Sequence, residues 1–378
     1  MPGIGRLRGR GVATRLKVEA TPLWHTAVDD HVIALAWSPD SQWLAVAEVS
    51  GPISLFAGAT GQLQAQMTGH TLGTTAIDWH PQQPLLASSG QDGTTRVWDA
   101  GNGNVQHTLS APAAWGERVA WSPQGDLLAS SAGRTIRLWN SAGQLLHDWA
   151  DHASTVSDMQ WQPGGRLLAA AAYGGVTLWS PDQSLPTRRY QWQGSTLTLA
   201  WSPDRTFIAT GDQDSTVHFW YVQSGVDLQM WGYETKVLEL SWHASSRYLA
   251  TGGGSTPCVW DCAGPQGPEG TRPVQLQAHA QPVQALAYQH AGPLLVSGGR
   301  EGGVGLWQPD RTHKLLTWID GYPGVTRLAW ATDDQRLAVG REDGTVDVYV
   351  IKSRRTPLRR CCARREDGTV DVYVIKGA

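Results

Sequence analysis

The stretch Ile77-Asp78-Trp79-His80-Pro81, running on through Leu85-Leu86-Ala87-Ser88-Ser89 to Val97-Trp98-Asp99, decides the fold. Residues 75–79 alternate towards a tryptophan, and the proline that follows ends the strand and fixes a turn. Residues 85–89 form a second extended run, Gly90-Gln91-Asp92-Gly93 a tight turn, and residues 94–98 a third run. Strand, turn, strand, turn, strand at this spacing is an antiparallel meander. One meander cannot bury both of its apolar faces alone, so it must be stacked on similar units.

The similar units are present. The aromatic that closes each first strand falls at Trp37, Trp79, Trp121, Trp161, Trp201, Trp242, Tyr288 and Trp330, in steps of 42, 42, 40, 40, 41, 46 and 42. The aromatic that ends each third strand falls at Phe56, Trp98, Trp139, Trp179, Trp220, Trp260, Trp307 and Tyr349. Two registers with one period identify an internal repeat, eight times over, and absorb 13 of the 20 tryptophans. The second strand recurs as Leu86-Ala87-Ser88, Leu128-Ala129-Ser130 or Leu249-Ala250-Thr251, small enough to lie tightly between neighbours. A weaker fourth strand is expected in the spacers, as at 62–67, 104–109 and 226–231. Four strands in 40–45 residues is the period of a β-propeller.

On these residues the chain resembles the WD40-repeat family over roughly residues 20–350. Trp98-Asp99 and Trp260-Asp261 match its signature dipeptide, Gly69-His70 its Gly-His, and Ser38-Pro39-Asp40 its first turn. The resemblance implies an all-β, eight-bladed WD40-like β-propeller with four antiparallel strands per blade. A seven-bladed ring is set aside because it would leave a whole repeat unpaired, with exposed strand edges. The last repeat lacks an outer strand, and Arg15-Leu16-Lys17-Val18 can supply it, so that an N-terminal strand closes the last blade. The expected division is an N-terminal arm at 1–13, the propeller at 14–350 and a basic tail at 351–378. Residues 365–376 of that tail copy 341–352 without a change. The Gly/Pro-rich run from Cys262 to Gly270 reads as a mobile loop between third and fourth strands.

The resemblance also implies a buried polar chain of His, Ser/Thr, Asp and Trp within a blade. The second repeat has the full set, His70, Ser88, Asp92 and Trp98; the seventh has His279, Ser297, Glu301 and Trp307. The fifth keeps Thr210, Asp214 and Trp220, with Trp192 in the place of His.

Composition narrows the function. Net charge is −3, sequence pI about 6.4, and the charged share only 17%, so global electrostatics do not call for nucleic acid. No run of about 18 apolar residues suggests a membrane span. No secretory leader is evident, which sets a cytoplasmic expectation. Four cysteines, Cys258, Cys262, Cys361 and Cys362, are too few for a disulfide scaffold. No nucleophile elbow, phosphate loop or metal-protease motif occurs, and no cofactor is expected. His80, His243 and His290 lie on different repeats, which argues against shared metal ligation.

Binding is the better reading. Propeller loops from several blades converge on one rim. The resemblance places exposed residues before the turn carboxylate or at the start of the first strand. These are His31, Gln91, Trp115, Glu117, Gln213, Lys236, Arg300 and Glu342. Trp115 is either an interface anchor or a filler of the space beside Gly116. The expected function is a non-catalytic scaffold, a monomer or a subunit of a larger complex, that holds a protein or peptide on its top rim. The alternatives are a small-ligand binder or enzyme using the central channel, and nucleic-acid contact through the Arg-rich tail.

Overall fold

A computed structural model describes residues 14–110, 115–150, 152–264, 266–311, 314–357, 360–364 and 370–374. The N-terminal arm at 1–13 and most of the duplicated segment 365–376 lie outside them. Strand β1 (Thr14–Ala27) precedes the repeats. The first repeat folds as β2 (Val32–Trp37), β3 (Trp43–Glu48), β4 (Ile53–Ala57) and β5 (Leu63–Met67). The second gives β6 (Thr74–Trp79), β7 (Leu85–Gly90), β8 (Thr94–Asp99) and β9 (Val105–Ser110). The third gives β10 (Gly116–Trp121), β11 (Leu127–Ala132), β12 (Thr135–Asn140) and β13 (Leu145–Trp149). Each of these repeats is one four-stranded antiparallel sheet.

The next two repeats depart from that scheme. They comprise β14 (Asp158–Trp161), β15 (Leu168–Trp179), β16 (Arg188–Trp201), β17 (Phe207–Asp212), β18 (Val217–Tyr221) and β19 (Asp227–Met230). β15 carries the second- and third-strand segments of the fourth repeat in one element, reversing at Gly174 and Gly175, whose φ values of 97° and 109° suit glycine alone. β16 pairs with β15 through residues 188–195 and with β17 through residues 196–201. It therefore runs from the outer edge of the fourth repeat to the inner edge of the fifth without a break.

The remaining strands return to the four-stranded scheme. They are β20 (Leu240–Trp242), β21 (Tyr248–Thr251), β22 (Cys258–Asp261) and β23 (Val274–Gln275), then β24 (Val283–Tyr288), β25 (Leu295–Gly299), β26 (Val304–Trp307) and β27 (Leu315–Ile319). The last sheet is β28 (Val325–Trp330), β29 (Arg336–Arg341) and β30 (Thr345–Pro357), with β1 outermost.

The expectation of eight separate four-stranded blades is therefore corrected. Counted as hydrogen-bonded sheets the ring is seven-bladed, with six sheets of four strands and one of six. The argument against seven, that a whole repeat would be stranded, fails for a physical reason: the fourth and fifth repeats share one six-stranded sheet, so neither loses its pairing.

β1 pairs with β30 from Thr14↔Pro357 to Ala27↔Thr345, which ties the two ends of the propeller into one sheet. β30 thus continues past Val350 into the expected tail. β31 (Arg360–Arg364) and β32 (Val370–Val374) pair only with each other. The Gly/Pro insert folds back on its neighbour: Gln266 O accepts from Tyr221 Oη at 2.5 Å, and Gly267 lies against the Phe219 ring.

The second strands explain the close stacking. Ala45, Ala87, Ala129, Ala169, Ala209, Ala250 and Ala338 are all completely buried, each in the middle of its sheet. The large apolar areas of Trp98, Trp179 and Trp307 fill the space outside them. The inner-strand tryptophans do something different. Trp79 Nε1 donates to Ala36 O of the preceding repeat at 2.9 Å, Trp161 to Ala120 O at 3.1 Å, and Trp242 to Ala200 O at 3.2 Å. Trp201 donates to Gln160 O at 3.2 Å and Trp330 to Ala287 O at 3.1 Å. Trp37 donates to Ala329 O at 3.1 Å, so the last repeat is bonded to the first. Trp121 breaks the series; its Nε1 has no partner. These bonds run around the ring where backbone ladders run along each sheet.

Candidate functional site

One backbone bond defines the loop-bearing end of the ring. Gln91 N donates to Gly73 O at 2.9 Å; Val49 N to His31 O, Gln213 N to Ser195 O, Arg300 N to Pro282 O and Glu342 N to Gly324 O all do so at 3.0 Å. Each ties the turn between second and third strands to the loop that enters the inner strand. Gln91, Gln213, Arg300 and Glu342 therefore hold one repeating position. Gln213, Arg300, Lys236 and Trp115 are exposed, whereas His31, Gln91, Glu117 and Glu342 are half-buried. Trp115, 63% exposed, does not fill the space beside Gly116, where a Cβ would come within 3.0 Å of Gly90 O.

The same end carries aromatics that sequence reasoning missed. Trp231 is 80% exposed and Tyr322 86%, both in loops entering inner strands, and Tyr173 is exposed in the turn of the fourth repeat. The sequence reading put Trp231 at the end of a fourth strand. That strand stops at Met230, which is buried as Met67 and Trp149 are at the same place in their repeats. Trp231 is one residue beyond that column and so points outward. Aligning Met230 with Met67 was the available signal.

Beneath the rim, polar side chains anchor the turns. His70 Nε2 meets Ser88 Oγ at 2.8 Å, and Trp98 Nε1 donates to the same Ser88 Oγ at 2.8 Å. His70 Nδ1 meets Asp92 Oδ1 at 2.9 Å. Burial works against the Asp92 carboxylate, but hydrogen bonds from Thr94 and His70 outweigh it and hold its pKa at about 2. Burial lowers the His70 pKa, against the pull of Asp92. The seventh repeat repeats the pattern: His279 Nδ1 contacts Glu301, His279 Nε2 meets Ser297 Oγ at 2.7 Å, and Trp307 Nε1 donates to Ser297 Oγ at 2.7 Å. The fifth repeat is not assembled this way. Thr210 Oγ1 turns to Asp212 Oδ2 at 3.3 Å, Asp214 accepts from Thr216 Oγ1 at 2.7 Å, and Trp220 Nε1 has no partner. Trp192 packs on His218 with ring centroids 4.0 Å apart.

The inner strands turn a second set of polar groups towards the axis of the ring. Arg118 Nε donates to Asp158 Oδ1 at 3.2 Å. Asp158 Oδ2 accepts from Thr198 Oγ1 at 3.1 Å and Leu199 N at 3.0 Å. Asp78 Oδ2 accepts from Trp121 N at 2.7 Å, and burial pushes its pKa up to about 7. Burial does the same to Glu239, also to about 7, despite Arg327 nearby.

Groups that suggested other chemistry have local occupations. His80 Nε2 meets Gly125 O at 2.9 Å, His243 Nδ1 meets Ser245 Oγ at 2.8 Å, and His290 Nε2 meets Trp330 O at 3.1 Å. Among the described residues no three His, Cys, Asp or Glu side chains are grouped to hold a metal. Burial raises the Cys258 thiol to about 11 and the Cys262 thiol to about 12, far from a reactive thiolate. Asp343 accepts from Thr345 N at 3.0 Å within its own turn. The side chains of Cys361, Cys362 and the tail arginines from Arg355 onward lie outside the described residues. Among those residues no helix is long and apolar enough to cross a membrane.

Comparison with known proteins follows the same lines. A family model described as the IFT122 first beta-propeller matches residues 31–266, and one described as WD domain, G-beta repeat matches residues 270–308 and 313–349. The chain is 27% identical over 150 residues to Protein ROOT INITIATION DEFECTIVE 3 of Arabidopsis thaliana, covering 38% of this chain and 33% of that protein. It is 25% identical over 172 residues to Eukaryotic translation initiation factor 3 subunit I of Phaeosphaeria nodorum, covering 43% and 52% respectively. A Mycosarcoma maydis relative, Probable cytosolic iron-sulfur protein assembly protein 1, is 29% identical over 122 residues, covering 31% and 23%. The matches thus span about half or less of each relative. Among solved structures the chain is similar to the computationally designed Ika8 protein, with a TM-score of 0.75 and 25% identity over 87% of this chain and 99% of that one.

Proposed function

The chain belongs to the WD40-repeat β-propeller family, and from that premise we propose that it is a non-catalytic scaffold that grips a protein or peptide on the loop-bearing end of its ring. The observation that carries this reading is the exposure of Trp115, Trp231 and Tyr322 on that end, at 63%, 80% and 86%. Tryptophan, tyrosine and arginine are the side chains that most often dominate binding energy, and Arg300 and Lys236 stand exposed on the same end. The turn that bears Arg300 is tied by its backbone bond to Pro282 O and by the His279–Glu301 contact, the loop of Trp231 and Lys236 by Thr235 N to Gly253 O, and the loop of Tyr322 by Glu342 N to Gly324 O. Binding therefore orders little that is not ordered already. A relative whose name makes it a subunit of an initiation factor, and a cytosolic assembly protein, support assembly into a complex and a cytoplasmic setting.

The test is affinity purification of the full chain with identification of co-eluting proteins, repeated with Trp231→Ala and Tyr322→Ala. Each should lower recovery of a specific partner by roughly tenfold or more, the loss of about 2 kcal/mol expected at an anchor residue. Gln83→Ala, exposed in a turn at the opposite end, should leave recovery unchanged. Equal recovery in all three variants counts against this end as the binding surface.

A further inference from the structure

We propose that the central channel binds a small oxyanion ligand, a carboxylate- or phosphate-bearing molecule, held by the guanidinium groups of Arg327 and Arg118. The site is separate from the rim and does not depend on the reading of it.

The channel wall is set by register. Three residues before the closing aromatic, the inner strands carry Arg118, Asp158, Thr198, Glu239 and Arg327 on five repeats. The other three have alanine there: Ala34, Ala76 and Ala285. The inner strands lie at the centre of the molecule, yet Arg118, Asp158, Thr198 and Glu239 are half-buried and Arg327 is exposed. Their side chains therefore meet solvent on the ring axis. Burial nonetheless lowers the Arg327 pKa, as does the charge of Arg118, against the pull of Glu239. A group that reaches water while paying a desolvation penalty sits in a narrow, protein-walled channel.

The charges in this wall do not cancel. Asp158 is saturated: Oδ1 takes Arg118 Nε at 3.2 Å and Met159 N at 3.0 Å, and Oδ2 takes Thr198 Oγ1 and Leu199 N. Glu239 is driven towards its neutral form by burial. Among the described residues no carboxylate lies within salt-bridge distance of Arg327, whose one hydrogen bond, from Nη1 to Thr326 O at 2.7 Å, fixes its orientation. Arg118 is held likewise, by Asp158 and by Glu117 O at 3.1 Å. Nε and Nη2 of Arg327, with Nη2 of Arg118, remain as donors. Two restrained guanidinium groups that repel each other in a confined space are stabilised by a shared anion. Their planar forks match the paired oxygens of a carboxylate or phosphate. Ala34 and Ala76, on the two inner strands that separate Arg327 from Arg118 around the ring, leave room for the body of the ligand. A cation is disfavoured because one carboxylate is occupied and the other tends to neutrality.

The test is isothermal titration of the full chain at pH 7 and low ionic strength with two probes, inorganic phosphate and malonate. Saturable one-to-one binding of either probe is expected. Phosphate alone, malonate alone, or both would assign the head group. Arg327→Gln should weaken binding at least tenfold, and Arg327→Lys, which keeps the charge but not the fork, several-fold. Arg300→Gln on the rim should change nothing. Absence of saturable binding to both probes overturns the proposal. So does unchanged affinity in Arg327→Gln, with an unaltered melting curve to show that the variant is folded.

Discussion

At the scale of the residue, position in the ring decides what a tryptophan contributes. Trp79 buries its ring and also donates Nε1 to Ala36 O of the neighbouring repeat. Trp121 occupies the equivalent place and is equally buried, but its Nε1 has no partner. Phenylalanine in either position keeps most of the apolar area and removes the donor. We therefore expect Trp79→Phe to cost about 1 kcal/mol more than Trp121→Phe, since Trp79 loses a hydrogen bond that Trp121 does not make. Urea denaturation of both variants checks this, and equal costs would show that the circumferential bonds add nothing. The repeat at Trp79 was readable because its residues were least altered. The bond across to Ala36 was not, because sequence spacing does not specify which carbonyl an indole reaches.

At the scale of the element, β1 is the strand whose contribution is out of proportion to its place in the chain. Its register with β30 runs from Thr14↔Pro357 to Ala27↔Thr345 and shields an edge that would otherwise present unpaired backbone groups. Deleting residues 14–27 should lower the thermal midpoint by roughly 5 °C or more and bring concentration-dependent association in size-exclusion chromatography. A monomer with an unshifted midpoint would show that the ring closes adequately without it. The need for an outer strand was legible from the last repeat, which has three strands and no fourth. The length of the pairing was not, because residues 353–357 read as a polar linker and gain their strand structure only from β1 beside them. The fourth and fifth repeats give the opposite case. Their periods are regular, but the merging of their sheets depends on β16 staying extended through Gln193-Gly194-Ser195, where the sequence would allow a turn, and period counting does not register that.

At the scale of the whole molecule, the ring sets how stability varies with pH. Asp78 faces the interior, and burial raises its pKa from the ordinary aspartate value to about 7. The folded state then holds a proton that the unfolded chain has released, so stability from this group falls as pH rises between about 4 and 7. Asp78→Asn should therefore stabilise the fold above pH 7 by roughly 1–3 kcal/mol, allowing for solvent in the channel. The difference should vanish near pH 4. His70 and His279 act in the other sense. Burial lowers their pKa values, so the unfolded chain takes up protons first and stability is lost as pH falls below about 6.5. Chemical denaturation from pH 4 to 8 resolves the two trends, and a constant offset between Asp78→Asn and the parent would contradict the assignment.

The sequence by itself determined the repeat, its strands, the columns of buried aromatics and the family, because a stacked meander imposes a short period on its core and that period is written in residue type. It also pointed to the rim, since the residue before each turn carboxylate recurs at a fixed offset. Only the tertiary structure decided how many sheets the repeats make, which aromatics of the rim stand free, and that Arg118, Asp158, Glu239 and Arg327 meet on one axis. The reason is geometric. Those residues follow one another at intervals of 40, 81 and 88 positions, 209 from first to last, and nothing local relates them. Closure of the ring alone brings their side chains together.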